Sequence, residues 1–171
     1  MTQSSDKIAA LIGSRICHDL INPIGAVANG LELLELSGAL KSPEMSLVVE
    51  SAGSASARIR FLRLAFGDSS DGQMIDAAEA GAILDAVYTD SRTVVRWLVT
   101  GTVPRAEVKM ALLALLCAEE ALVSGGKVTV TQAGGRWRVV AEAARLSFDA
   151  ALWAILSLSL IHISEPTRLL V

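Results

Sequence analysis

Two long apolar stripes separated by only a few residues constrain this chain more than any other feature. From Ile8 to Leu36, the residues Ile12, Ile16, Leu20, Ile24, Val27, Leu31 and Leu34 recur every three or four positions, the spacing of one face of an α-helix. Ser4 or Ser5 is placed to cap its start and Gly38 to end it. Ser42 followed by Pro43 reads as a second cap with proline at the first helical position, and Met45, Val48, Ala52, Ala55, Ile59, Leu62 and Phe66 carry a second stripe. Two such helices joined by a short turn fold back on each other as an antiparallel hairpin. One hairpin cannot enclose both stripes, so the spacing predicts a four-helix bundle built from two copies of the chain. With the first helix ~45 Å long at about 1.5 Å per residue, the seam is extensive and the dimer obligate.

Beyond Gly67-Asp-Ser-Ser-Asp-Gly72, a polar break bounded by glycines, the pattern changes to mixed helix and strand. Asp76 to Tyr88 and Pro104 to Val123 read as helices, the second closed at Gly125-Gly126. Thr93 to Val99 reads as a strand, and Lys127 to Gln132 with Arg136 to Glu142 alternate around Ala133-Gly134-Gly135 as a hairpin. Trp97, Trp137 and Trp153 are placed as core anchors. The fold class is therefore α+β, with a helical hairpin over 1–67, a small α/β domain over 73–156, and an atypical tail over 157–171 that reads as a truncated or frame-shifted end.

Composition removes several classes of function. A net charge of −3 with no Lys/Arg cluster leaves no footprint for nucleic acid. The start, MTQSSDKIAA, lacks the basic-then-apolar order of a signal peptide, and the uncharged run Ala150 to Ile163 is shorter than a membrane span. The chain is expected in the cytoplasm. Cys17 and Cys117 lie in different apolar segments without CxxC or histidine partners and read as buried free thiols, so no metal site is expected.

Within the first stripe, "CHDLINPIGAVANGLELLEL" places His18 beside Asp19 and five residues before Pro23. Proline inside a helix costs roughly 3 kcal/mol, so this stretch serves something besides stability. A helix puts His18 about 160° from Leu20, away from the stripe. Ser14, Arg15, Asn22, Gly25, Asn29 and Glu32 lie along the same side as His18. All are polar, charged or small, which allows a partner to approach closely, and Ser14, Arg15, Gly25 and Asn29 are the expected docking residues. An exposed imidazole is a competent nucleophile when a base holds its other nitrogen, and Asp19 is positioned for that role. The bland alternative is a surface histidine beside an aspartate.

The hexapeptide His18-Asp19-Leu20-Ile21-Asn22-Pro23 resembles the phosphoacceptor box of histidine kinases, an H-[DE]-x-x-x-P pattern on the first helix of a hairpin. "CHDLINPIGAVANGLELLE" together with "FLRLAFG" at Phe61 to Gly67 resembles more closely the ChpT-type bacterial histidine phosphotransferases, over about Lys7 to Phe148. The resemblance implies dimerisation helices followed by a degenerate ATPase-like α/β sandwich. It gives His18 the role of accepting and donating phosphate, Asp19 that of the adjacent acid, and Asn22 a share in dephosphorylation. The implied partners are receiver domains: a CckA-like hybrid kinase as donor, and CtrA- and CpdR-like regulators as acceptors.

The second domain separates a kinase from a phosphotransferase. Kinase relatives carry a helix resembling "LLNLLSNA", whose asparagines serve the magnesium of ATP, whereas this chain has "LLALLCAE" at Leu112 to Glu119. Ala114 and Ala118 stand at the asparagine positions, and a methyl group cannot ligate magnesium. Glu119 and Glu120 read as a solvated helix face rather than replacement ligands. No DxGxG follows the Arg136 to Glu142 strand. The expectation is a phosphotransferase with a phosphohistidine intermediate and no cofactor of its own, neither ATP nor metal, the magnesium belonging to the partner receivers. The alternatives are an ATP-dependent histidine kinase, or a non-catalytic dimeric adaptor derived from one.

Overall fold

The computed structural model describes residues 2–36, 38, 42–69, 72–147, 153, 162–165 and 168–170, with side chains in the first helix described at Gly13 and from Leu20 onward. The chain divides into two compact units, Met1–Ser69 and Ser70–Val171.

The first unit is a helical hairpin. Helix α1 spans Thr2–Leu36 and runs through Pro23 without interruption. It starts upstream of both serines expected to cap it, so Ser4 and Ser5 lie inside the helix. Gly38, at φ 72°, lies beyond its end and donates its amide to the Glu35 carbonyl at 2.9 Å, a left-handed conformation that glycine adopts without steric cost. Helix α2 spans Pro43–Phe66; the Ser42 side chain accepts from the Met45 amide and Pro43 opens the first turn. The Ser42 hydroxyl and Glu44's own amide also hold the Glu44 carboxyl below the usual range. That small contribution is present above the carboxylate's ordinary pKa and is lost as pH falls through the lowered value.

The register of the pair follows from one close approach. A Cβ added to Gly13 would lie 3.6 Å from the Phe66 Cβ and 3.7 Å from its carbonyl oxygen, so the beginning of α1 lies against the end of α2 and the helices are antiparallel. The stripes are covered only in part. Leu31 is buried, whereas Leu20 is 46% exposed, Val27 51% and Leu34 46%. On α2, Val48 and Phe66 are also exposed, and the buried residues are Ala57, Phe61, Leu64 and Ala65. Those four fall at i, i+4, i+7 and i+8, a second apolar face distinct from the Met45 to Phe66 stripe. The end of α2 is therefore apolar on two sides, which the single-stripe reading did not anticipate.

The second unit is a mixed sheet with helices. Strand β1 (Met74–Asp76) pairs antiparallel with β3 (Thr102–Pro104), a short ladder that periodicity does not reveal. Helix α3 (Ala77–Tyr88) is capped by the Asp76 carboxylate, which accepts from the Ala78 amide at 2.9 Å. Strand β2 (Thr93–Trp97) runs parallel to β4 (Gly126–Ala133), which pairs antiparallel with β5 (Arg136–Glu142). Strands β6 (His162–Glu165) and β7 (Arg168–Leu170) extend this sheet beyond β5 in the order β2-β4-β5-β7-β6. Helix α4 spans Arg105–Glu120, shorter at its end than the expected helix.

Val128, Val130, Val139 and Ala141 on the sheet and Leu84, Val108, Leu112, Leu115 and Ala118 on the helices form the core. Trp153 is buried, while Trp97 and Trp137 are half-buried and lie 5.7 Å apart between ring centres. The Trp137 indole donates to Glu107 at 2.7 Å. The Tyr88 hydroxyl, at the end of α3, donates to Glu119 on α4 at 2.6 Å, a charge-assisted bond that ties the two helices together. Gly125 has φ 86°, and a Cβ there would stand 2.3 Å from the Arg92 carbonyl oxygen. The glycine pair after α4 thus serves the close approach of backbone to the start of β2.

Two outcomes test this packing. Tyr88→Phe should lower stability by about 1–2 kcal/mol, because Glu119 keeps its charge and loses its donor, measured by denaturant unfolding of the full chain. Gly125→Ala should cost about 2 kcal/mol or more, since both the backbone angle and the space exclude a methyl group; an unchanged unfolding midpoint would contradict the geometry.

Candidate functional site: the His18 level of the helical hairpin

His18 and Asp19 lie within α1, one turn before Asn22 and Pro23. The side chains of Ser14, Arg15, His18 and Asp19 lie outside the described residues. Asn22 and Asn29 are exposed, Gly25 is half-buried, and a Cβ added to Gly25 would meet nothing within 4 Å. Positions 18, 22, 25 and 29 follow i, i+4, i+7 and i+11 and so share one side of α1. At 100° per residue, positions 20, 27 and 34 fall on roughly the opposite side. The helix consequently offers two different open surfaces: a polar, small-residue side carrying Asn22, Gly25 and Asn29, and an apolar side carrying Leu20, Val27 and Leu34.

The Gly13–Phe66 contact also places His18 along the hairpin. Five residues onward from Gly13 and five back from Phe66 bring position 18 level with Phe61. Arg58, Arg60 and Arg63, all exposed on α2, lie within three residues of that level. The motif-based reading passed over these arginines, whose relation to His18 depends on interhelical register. The Arg58 guanidinium lies over the Phe61 ring, 5.9 Å from its centre, within the range of a cation–π contact.

In the second unit, the segment Leu112 to Glu119, compared above with the metal-bearing helix of kinases, lies on α4. Ala114 is half-buried and Ala118 fully buried, so neither position offers an oxygen. Glu119 is engaged by Tyr88, which gives it a structural use that the expectation of a solvated carboxylate missed. Glu120 is exposed. Cys117 is a free thiol and half-buried rather than enclosed. Among the described residues no group of three or more His, Cys, Asp or Glu side chains could hold a metal ion. No helix among them is long and apolar enough to cross a membrane.

Comparison with known proteins bears on both units. Residues 77–164, just over half of the chain, match the histidine phosphotransferase C-terminal domain. The protein phosphotransferase ChpT of Brucella abortus (strain 2308) is 39% identical over 136 residues, which cover 78% of this chain. The match spans 65% of the length of that relative. A solved structure of a bacterial phosphotransferase superposes with a TM-score of 0.59 at 26% identity, covering 99% of this chain and 96% of its own. The α+β architecture agrees with that relationship, and the chain belongs to the histidine phosphotransferase family.

Proposed function

We propose that this protein is a histidine phosphotransferase of a bacterial phosphorelay, with His18 as the residue that carries the phosphoryl group. The observation that supports it most directly is the H-D-x-x-x-P motif on the first helix of an antiparallel hairpin in a chain of this family. In the forward step, the lone pair of one imidazole nitrogen of His18 attacks the phosphorus of a receiver's aspartyl phosphate. The N–P bond forms as the acyl O–P bond breaks, and the electron pair leaves with the donor carboxylate. Asp19 accepts a hydrogen bond from the other ring nitrogen, holding the imidazole in the productive tautomer. In the second step a carboxylate oxygen of the acceptor receiver attacks the same phosphorus, the N–P bond breaks, and the pair returns to the ring. Asn22, one turn along, orients water in the competing hydrolysis.

Receiver domains supply the magnesium that neutralises charge on the transferring group, while this chain supplies the nucleophile and its orientation. Ser14, Arg15, Gly25 and Asn29 form the docking side. By the resemblance noted above, the donor is a CckA-like hybrid kinase, the acceptors are CtrA- and CpdR-like regulators, and the proposed compartment is the cytoplasm. The protein binds no ATP: methyl groups at positions 114 and 118 leave the magnesium of a nucleotide without ligands. The chain works as a homodimer, in which the exposed Leu20, Val27, Leu34, Val48 and Phe66 of two hairpins cover one another in a four-helix bundle.

Three measurements test this reading. Incubation with a phosphorylated receiver should give acid-labile, base-stable label that His18→Gln abolishes, and equal labelling of that variant would refute the role of His18. Calorimetry should find ATP binding no tighter than millimolar, weaker than about −4 kcal/mol; micromolar, magnesium-dependent affinity would restore a kinase. Val27→Lys should convert the dimer to monomer in light scattering and abolish transfer, whereas Asn29→Lys should leave the dimer intact and weaken receiver docking alone.

A further inference from the structure

Strand β2 stands at the edge of the five-stranded sheet, with β4 on one side and, among the described residues, no strand on the other. The Leu98 amide donates to the Val130 carbonyl at 2.9 Å, and the Gly126 amide donates to the Arg92 carbonyl at 3.2 Å. A parallel ladder engages alternate residues of each strand, so Val94 and Arg96 also turn their backbone groups to β4. The amides and carbonyls of Val95 and Trp97 consequently point to the open edge. The Thr93 amide is taken by the Ser91 hydroxyl at 3.1 Å, which leaves Val95 and Trp97 as the residues of β2 with both groups open. Side chains alternate with the same period. Thr93, Val95 and Trp97, buried or half-buried, share the face of the buried Val128 and Val130, whereas Val94, Arg96 and Leu98 lie on the other face and are all exposed. An open run of strand backbone is a template for another strand, and the side chains beside it decide which strand it accepts.

We infer that the free edge of β2 receives an extended segment of another protein, antiparallel to it, with an acidic residue opposite Arg96 and apolar residues opposite Val94 and Leu98. The inference is independent of phosphotransfer at His18. Backbone bonds to Val95 and Trp97 hold the incoming strand, as in other strand additions to a sheet edge. Those bonds put Val94, Arg96 and Leu98 at the non-hydrogen-bonded positions of the new pair, where facing Cα atoms stand about 4.5 Å apart and side chains are closest. A carboxylate there faces the Arg96 guanidinium directly, and Arg96 has no ion-pair partner among the described residues. The two exposed aliphatic side chains on either side are covered by the apolar residues of the segment. The same cation selects against a second copy of this chain. When two β2 strands overlap antiparallel along their length, Arg96 falls opposite or diagonal to its counterpart, and like charges so placed destabilise the pair. Charge therefore specifies a foreign, acid-centred strand.

Hydrogen exchange of the isotope-labelled full chain, with and without the synthetic peptide acetyl-Thr-Val-Thr-Glu-Thr-Val-Thr-amide, tests the site. At saturating peptide the amides of Val95 and Trp97 should gain about tenfold protection or more, while those of Arg96 and Leu98, already held by β4, change little. Replacing the peptide's glutamate by lysine should weaken binding about fivefold, and Arg96→Glu should reverse that preference. Backbone readout is checked on the unaltered protein. Methylating the peptide nitrogens of the two threonines that flank the glutamate should abolish binding, because those amides face β2, whereas methylating the glutamate nitrogen, which faces away, should leave binding in place. Val95→Pro removes an edge amide that the sheet does not use and should abolish binding while the far-ultraviolet spectrum is kept. The inference is overturned by any of three results: Val95 and Trp97 amides left unprotected at millimolar peptide, equal binding of the glutamate and lysine peptides, or protection that appears without peptide as the chain is concentrated, which would show β2 pairing with its own copy.

Discussion

The close contact of Gly13 on α1 with Phe66 on α2 is the constraint from which the geometry of the first unit follows. It establishes that the helices are antiparallel and at what register they run. The space beside position 13 would hold a Cβ in ordinary van der Waals contact with Phe66, so the two helices run close together at this level. Because both helices are regular, the effect of that one contact propagates without loss. His18 comes level with Phe61, and the arginines at 58, 60 and 63 fall around it.

Partial coverage is the second determining feature. An isolated pair of helices buries one stripe of each, and α1 with α2 leaves Leu20, Val27 and Leu34 open on the side away from positions 18, 22, 25 and 29. The same helix therefore carries an exposed apolar side and, about half a turn away, a side lined by Asn22, Gly25 and Asn29. In the second unit α4 carries the buried Ala118, and its Glu119 is tied to Tyr88.

Much of this was legible in the amino-acid order. Helix existence followed from three-and-four spacing, the start of α2 from Ser42-Pro43, and the β4–β5 hairpin from alternation around Gly134-Gly135, because each is a local property of a few consecutive residues. The motif around His18 is likewise a linear pattern. The short β1–β3 ladder escaped notice because three-residue strands carry too little periodicity. The upstream start of α1 was missed because serine is compatible with both a cap and a helical interior.

What the sequence by itself determined is the class of the protein: two long helices, a mixed α/β unit, a motif that resembles a phosphoacceptor box, and a helix with alanines at positions 114 and 118. These depend on residue type and spacing along one chain segment. Tertiary structure alone decided which parts of the helices are covered, that the end of α2 is apolar on two sides, that Glu119 serves Tyr88, and that the arginines of α2 stand at the level of His18. Each of those depends on which residues from distant segments are brought side by side, and a helix of 24 residues can slide along its neighbour by a turn without any change in its own spacing pattern.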